Sequence, residues 1–410
     1  MPKALLLSRQ PLSSRPLQDW LDSPARDVVL FTTHQAAAGS EDILSTHFPA
    51  HRLVDDYHSW RAELEAEETA RQHRVELVAS TSEHDVLRAA RLRERLGLPG
   101  QGNASATAYR DKVVMKRFAV EAGIRVPRFA PVDSVRDLLG FIDAHGLPVV
   151  VKPRFGAGAA GVEIVHDRQG LEDFLRRADG GEPPLVPGQW MAETFVAGDF
   201  FHVDGIMREG KVVHGWPSQY NGGIVEHLRD QSQLSSVLLA PQDPRTPVLM
   251  DVTAAMIAAL PPCEHPLAFH LEAWLGADGR PVLCEIASRA GGGPIAETYE
   301  HAFGVQPAKE GLRAQCGSAL TLDHQPPAPV RAHGWLVLPP RHGVFTPPPD
   351  PCPVAGAEVT VYLAAGTRSR GMDHAAQAAA QVIVAASTPE EVRARLGEAA
   401  DWWRRSAAWT

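Results

Sequence analysis

Residues 156–161 read Gly-Ala-Gly-Ala-Ala-Gly, and their flanks decide how the chain can run there. A G-x-G-x-x-G loop marks a dinucleotide site when a helix opens at its last glycine, because the helix N-terminus must face the pyrophosphate. Here Val149-Val150-Val151-Lys152-Pro153 leads in and Val162-Glu163-Ile164-Val165 leads out. Both flanks are β-type, so the loop joins two antiparallel strands. A nicotinamide oxidoreductase is therefore disfavoured. A loop of this kind serves as an ordinary hairpin turn or as a cup for an anion, since bare glycine N–H groups approach phosphate closely.

Strand and helix patterns alternate through the first hundred residues. Ala4–Leu7, Val28–Thr32 and Val75–Ser80 are short apolar runs that read as buried strands. Trp60–Ala70 and Asp85–Leu96 have helical periodicity, the second stopped by Gly97 and Pro99. This order predicts a small parallel α/β domain. A helix follows over 110–121, and strands over Trp190–Phe195, Phe201–Met207 and Val212–Trp216. Residues 217–245 look turn-rich, and Thr253–Leu260 helical. Ala268–Leu275 and Val282–Ile286 are predicted to pair across Ala277-Asp278-Gly279, because Asp-Gly between alternating runs is a strong hairpin signal. Ten of the 34 prolines fall in residues 326–353, which predicts loops with edge strands in a separate C-terminal lobe. Pro389–Arg405 has an amphipathic helical pattern.

Composition narrows the class. With 44% hydrophobic and 22% charged residues, the 410-residue chain is globular rather than disordered. A net charge of −9 argues against nucleic-acid binding, which calls for a concentrated basic face. The four cysteines form no C-x-x-C, which excludes a zinc ribbon or disulfide framework and fits a cytoplasmic location. The apolar run at 4–7 is short for a signal peptide, and no stretch is long enough for a membrane span.

Several residues carry chemistry. Lys152 ends the strand entering the glycine loop, where a cation beside bound phosphate is expected. Glu272 and Glu285 lie on the two arms of the predicted Asp-Gly hairpin; carboxylates sharing one face hold hard cations such as Mg2+. Arg289 precedes Gly291-Gly292-Gly293 and has the freedom to reach a developing negative charge. His202 and Asp204 share a strand face, a pairing that a structural hydrogen bond explains equally well.

Taken in order, Asp111-Lys112, the Val149–Pro153 strand, the GAGAAGV loop, Glu193-Thr194-Phe195-Val196, Phe201-His202-Val203-Asp204-Gly205, His270-Leu271-Glu272 and Glu285-Ile286-Ala287-Ser288-Arg289 resemble the ATP-grasp superfamily. The likeness covers roughly residues 75–300 and is greatest to the carboxylate–amine ligase branch, which includes L-amino acid and dipeptide ligases. It implies an α/β ATP-grasp fold: an N-terminal Rossmann-like domain (1–108), a small lobe with the glycine lid (109–190), a large lobe with the Mg-ATP and substrate site (191–325) and a C-terminal lobe (326–410).

The resemblance also implies roles. Lys112 and Lys152 would contact the phosphates, and Gly156, Gly158 and Gly161 would close over them. The backbone of Glu193, Thr194, Phe195 and Val196 would read adenine, with a carboxylate or carbonyl accepting from its amine, Asp204 on the ribose and His202 nearby. Glu272 and Glu285 would hold one or two Mg2+, with Mn2+ as a substitute. Arg289 and Lys152 would be catalytic. Trp216, Tyr220, Arg229, Arg289 and Gly292 are candidates for the substrate pocket. Many superfamily members carry an asparagine where this chain has Ala287, which leaves the number of metal ions open. The loop also has alanines at 159 and 160 where a hydroxyl is common, so phosphate contact there falls to the backbone. The implied activity is ADP-forming ligation through an acyl phosphate. Alternatives are a carboxylase of the same superfamily or an ATP-binding protein without ligation. Implied partners are small-molecule carboxylates and amines or amino acids, with a homodimer compatible.

Overall fold

The computed structural model describes residues 3–14, 16–21, 27–179, 186–372 and 377–410. The N-terminal strands are β1 (Ala4–Leu7), β2 (Val28–Thr33), β3 (His51–Val54) and β4 (Leu77–Ser80). They form a parallel sheet in the order β3-β2-β1-β4. Leu6 and Leu30 pack into a core on one face, while Leu5, Leu7, Val29 and Phe31 pack on the other. Burial on both faces is why these strands read as unbroken apolar runs.

The second sheet comprises β5 (Phe129–Val132), β6 (Val149–Pro153), β7 (Glu163–Val165) and β8 (Trp190–Thr194), in the order β5-β8-β6-β7. β6 and β7 pair antiparallel, Val149 opposite Val165, so the glycine loop is a hairpin connection. Gly158, Ala159 and Gly161 all have positive φ (60°, 59° and 72°), and glycine is the residue that adopts this region without strain. Val149, Val151, Val165 and Trp190 pack against Leu138, Phe141, Leu171 and Phe174 from two covering helices, Val135–His145 and Arg168–Asp179.

The remaining strands are β9 (Asp199–Arg208), β10 (Lys211–Asn221), β11 (Leu234–Leu238), β12 (Leu267–Leu275), β13 (Pro281–Ala287) and β14 (Ala332–Leu338). They continue with β15 (His342–Thr346), β16 (Ala357–Val361), β17 (Arg368–Arg370), β18 (Ala380–Ala386) and β19 (Ala408–Trp409). Eight of them form one sheet, ordered β13-β12-β9-β10-β11-β14-β18-β16. The Asp-Gly hairpin is present, with Glu272 directly opposite Glu285.

Three expectations are corrected. Where edge strands were expected in the C-terminal residues, β14 is interior to the large sheet, between β11 and β18. Its prolines lie on either side of the proline-free run Ala332–Leu338, so the ladder is intact. The predicted boundary at 325/326 thus falls within one sheet. Residues 217–245 hold the end of β10, the helix Ile224–Asp230 and β11 rather than a run of turns. Finally, the helix predicted over 110–121 is two helices, Asn103–Arg110 and Lys112–Glu121, separated by Asp111, whose carboxylate accepts from the Val113 N–H at 3.0 Å. Among the described residues, no helix is long and apolar enough to cross a membrane.

Gly205, in the Phe201–Gly205 motif, is required by a close approach. A Cβ built there would lie 2.0 Å from the His214 carbonyl oxygen on β10. Gly205→Ala is expected to destabilise the protein by about 3 kcal/mol, at the upper end of ordinary overpacking, and thermal melts would show it as a lowered Tm.

Candidate active site

The edge of the large sheet, the helix Lys112–Glu121 and the glycine hairpin converge on the carboxylate pair. Oxygens of Glu272 and Glu285 and the Cys284 sulfur lie within 4.8 Å of one another. Glu272 Oε1 accepts from the Tyr220 hydroxyl at 3.0 Å and faces His270 Nε2 at 3.3 Å. Lys112 Nζ lies 3.1 Å from Glu285 Oε2 and donates to the Gly156 carbonyl at 2.8 Å. One ammonium thus joins the carboxylate pair to the glycine loop. Burial would raise the Glu285 pKa, but Lys112 and Lys152 outweigh it and hold the carboxyl below its ordinary range.

Behind this pair lies a fully buried ion triplet. Lys152 Nζ is 2.5 Å from Glu193 Oε1, and Lys116 Nζ is 3.3 Å from Glu193 Oε2. Lys116 also donates to the Cys284 carbonyl at 2.8 Å. Burial depresses the Lys116 pKa; at Lys152 burial opposes the charge, but Glu193 wins and raises the pKa. The Glu193 side chain, in the segment expected to read adenine, is thus committed to two lysines. The Thr194 and Phe195 N–H groups are likewise spent, on the Arg128 and Pro148 carbonyls. Sequence reasoning missed Lys116, although its spacing of four from Lys112 places both on one helix face.

Asp204 is 2% exposed, and its two oxygens face His202 Nδ1 at 2.5 Å and His270 Nδ1 at 2.8 Å. Where a ribose contact was expected, its carboxylate meets two imidazoles. Burial opposes charging of His270, but Asp204 pushes its pKa up to about 10. His202 is as buried as Asp204.

Arg289 is anchored by a residue the motifs did not single out. Its Nε bonds Glu83, on the loop after β4, and its Nη1 donates to the Ala290 carbonyl at 2.8 Å. The other Glu83 oxygen bonds Arg110, which also reaches the Phe155 carbonyl at the start of the glycine loop. Burial opposes the Arg289 charge, but Glu83, with smaller contributions from Glu285 and Glu272, holds its pKa up.

The substrate candidates divide. Tyr220 touches Glu272. Trp216 does not belong to a substrate loop: it is buried on β10 with Leu238, Tyr299 and Val305, and its Nε1 donates to the Leu239 carbonyl. A strand interior explains an aromatic there without a ligand. Arg229 is exposed on its helix and pairs with neighbouring Asp230 at 2.7 Å. Gly292 is exposed beside Gly291.

Residues 111–195 match the family described as carbamoyl-phosphate synthase L chain, ATP binding domain. An L-arginine-specific L-amino acid ligase from Bacillus subtilis is 28% identical over 230 residues, 56% of this chain and 54% of that protein. The chain thus spans about half the length of the curated relative it matches. The crystal structure of an L-amino acid ligase from Bacillus licheniformis superposes with a TM-score of 0.71 at 19% identity, covering 97% of both chains. The chain has the ATP-grasp fold. A second ATP-grasp neighbour is the biotin carboxylase domain of the Hydrogenobacter thermophilus 2-oxoglutarate carboxylase in complex with MgADP, ADP and bicarbonate. It superposes with a TM-score of 0.71 at 14% identity, covering 97% of this chain and 89% of that one.

In this frame the Glu272–Glu285 pair fits a hard divalent cation. Both are carboxylates on directly opposed strand positions, and both are only partly buried.

Two expectations follow. Glu193→Ala strands two buried ammoniums and should cost about 3–5 kcal/mol, read as a collapse of the denaturation midpoint. Glu83 is held down to about 2: burial raises its pKa, but Arg289, Arg110 and Lys112 outweigh that. Because its folded pKa is depressed, its contribution is complete above the ordinary value near 4.5 and is lost as pH falls toward 2. Glu83→Gln should flatten the fall of Tm with acidification over that window, relative to the unsubstituted protein.

Proposed function

We propose that this chain is an ATP-dependent carboxylate–amine ligase that forms an amide or peptide bond and releases ADP and phosphate. The observation that carries this is the grouping of Glu272 and Glu285 with Lys112 and Arg289 at the mouth of a glycine hairpin. The relatives named for amino-acid ligation support the same reading.

In the first step a carboxylate oxygen of the donor attacks the γ-phosphorus of ATP. The bond from that phosphorus to the β,γ-bridging oxygen breaks, and ADP leaves with the electron pair. In the second step the amine nitrogen attacks the acyl carbon and loses a proton to solvent. The acyl C–O bond breaks, and phosphate departs. The reactants are mutually repelling anions, so alignment and charge neutralisation account for most of the catalysis required. Lys112 and Lys152 supply fixed positive charge near the phosphates, and Arg289, held by Glu83, faces the charge developing on the acyl group. Glu272 and Glu285 would hold Mg2+, which when bound neutralises charge on the terminal phosphates. The glycine hairpin, tied through Gly156 and Phe155 to Lys112 and Arg110, covers the site and limits loss of the acyl phosphate to water.

A phosphate-release screen of paired carboxylates and amines with Mg-ATP tests the reading. Release that requires both a carboxylate and an amine supports it; tight ATP binding with no turnover for any pair overturns it. Glu285→Gln is expected to lower ADP formation by roughly a thousandfold, the scale of losing a principal electrostatic partner of the transferring group, without shifting Tm substantially. Full turnover in that variant would remove Glu285 from the site. Lys152→Ala is a poorer test, because Lys152 is also part of the buried triplet.

A further inference from the structure

A line of buried polar groups runs under the carboxylate pair and is unused by the chemistry above. The Ser236 hydroxyl, on β11, donates to the Gln219 carbonyl at 2.9 Å. Its oxygen is therefore left to accept from His202 Nε2 at 2.8 Å. His202 Nδ1 faces one Asp204 oxygen at 2.5 Å, and His270 Nδ1 faces the other at 2.8 Å. His270 Nε2 ends the line on Glu272 Oε1 at 3.3 Å.

The strands make this line rigid. Asp204 is the register partner of His270, and Glu272 that of His202. The Gly291 backbone closes over it from above: a Cβ at 291 would lie 2.7 Å from Asp204 Oδ1. A ligand therefore has no access to that oxygen from the Gly291 side. With Tyr220 and His270 both on Oε1, the Glu272 oxygen carrying no hydrogen bond among the described residues is Oε2.

We propose that Asp204 and His270, backed by His202 and Ser236, are positioning residues for Glu272, fixing Oε1 so that Oε2 is presented to a divalent cation. Outer partners of this kind set the orientation of a ligating carboxylate, and their loss typically weakens metal binding tenfold to a hundredfold. The inference rests on the ligase reading to the extent that Glu272 holds a cation beside nucleotide.

The test is Mn2+ binding followed by electron paramagnetic resonance with ADP present, alongside ADP binding without metal. His270→Gln and Asp204→Asn should each weaken Mn2+ binding tenfold to a hundredfold and leave metal-free ADP binding within twofold. Unchanged Mn2+ affinity in both variants overturns the proposal. Weakened metal-free ADP binding in Asp204→Asn with Mn2+ binding intact overturns it in favour of a ribose contact. Tight Mn2+ or Zn2+ binding without nucleotide that is lost in His202→Gln overturns it in favour of a metal centre at the histidines. If Asp204→Asn does not fold, His270→Gln decides alone, since glutamine fills much of the ring's space but can donate toward only one of the two carboxylates. Failure of the unsubstituted protein to bind Mn2+ with ADP would instead sink the functional reading itself.

Discussion

The architecture around the site depends on one carboxylate. Glu193 is 1% exposed and lies between Lys116 and Lys152, so three charges are shut away from water together. Such a group is tolerated only when every charge is matched, because each ion carries a desolvation penalty of several kcal/mol. The three residues come from three places: β8, β6 and the helix Lys112–Glu121. Through the Cys284 carbonyl, Lys116 adds a fourth, the β13 edge of the large sheet. The small sheet cannot move far from the carboxylate pair without exposing an unmatched ammonium.

A second ion cluster extends this to the N-terminal sheet. Glu83 sits just past β4, yet its two oxygens serve Arg289 and Arg110. The Arg110 and Lys112 side chains reach successive carbonyls, Phe155 and Gly156, at the start of the glycine hairpin. The hairpin is thus anchored at its base by cations that also touch the acidic groups of the site. Its tip, with positive φ at Gly158, Ala159 and Gly161, has no such tie among the described contacts.

Legibility followed sequence distance. The Asp-Gly hairpin could be read because its signal is local: two alternating runs and a tight turn set Glu272 against Glu285. The glycine loop could be read from its flanks for the same reason. The motif order was enough to indicate the fold. The partners of those residues were not legible, since they come from far along the chain. Glu83 meets Arg289 across 206 residues, and Lys116 meets Cys284 across 168. Asp204 was placed by its motif, and only the packing of β12 against β9 shows His270 opposite it. Trp216 looked like a binding-loop aromatic because nothing local reveals that β10 runs on to Asn221. The prolines of 326–353 misled for a complementary reason: they mark the ends of β14, and a strand's neighbours are not written in its flanks.

The placement of β14 has a bearing on how this chain could be divided. A strand from the last fifth of the sequence closes the hydrogen-bond ladder of β11, a strand laid down about a hundred residues earlier. Removing everything after residue 325 would leave β11 with a bare row of N–H and C=O groups, the kind of open edge that recruits other chains. It would also uncover Val237, which packs with Leu336, Leu338 and Val392 in one core. Glu272 and Glu285 would survive such a cut in sequence, but the sheet that aligns them would have become adhesive. The segment after residue 325 is, in effect, a built-in chaperone for the edge of the large sheet.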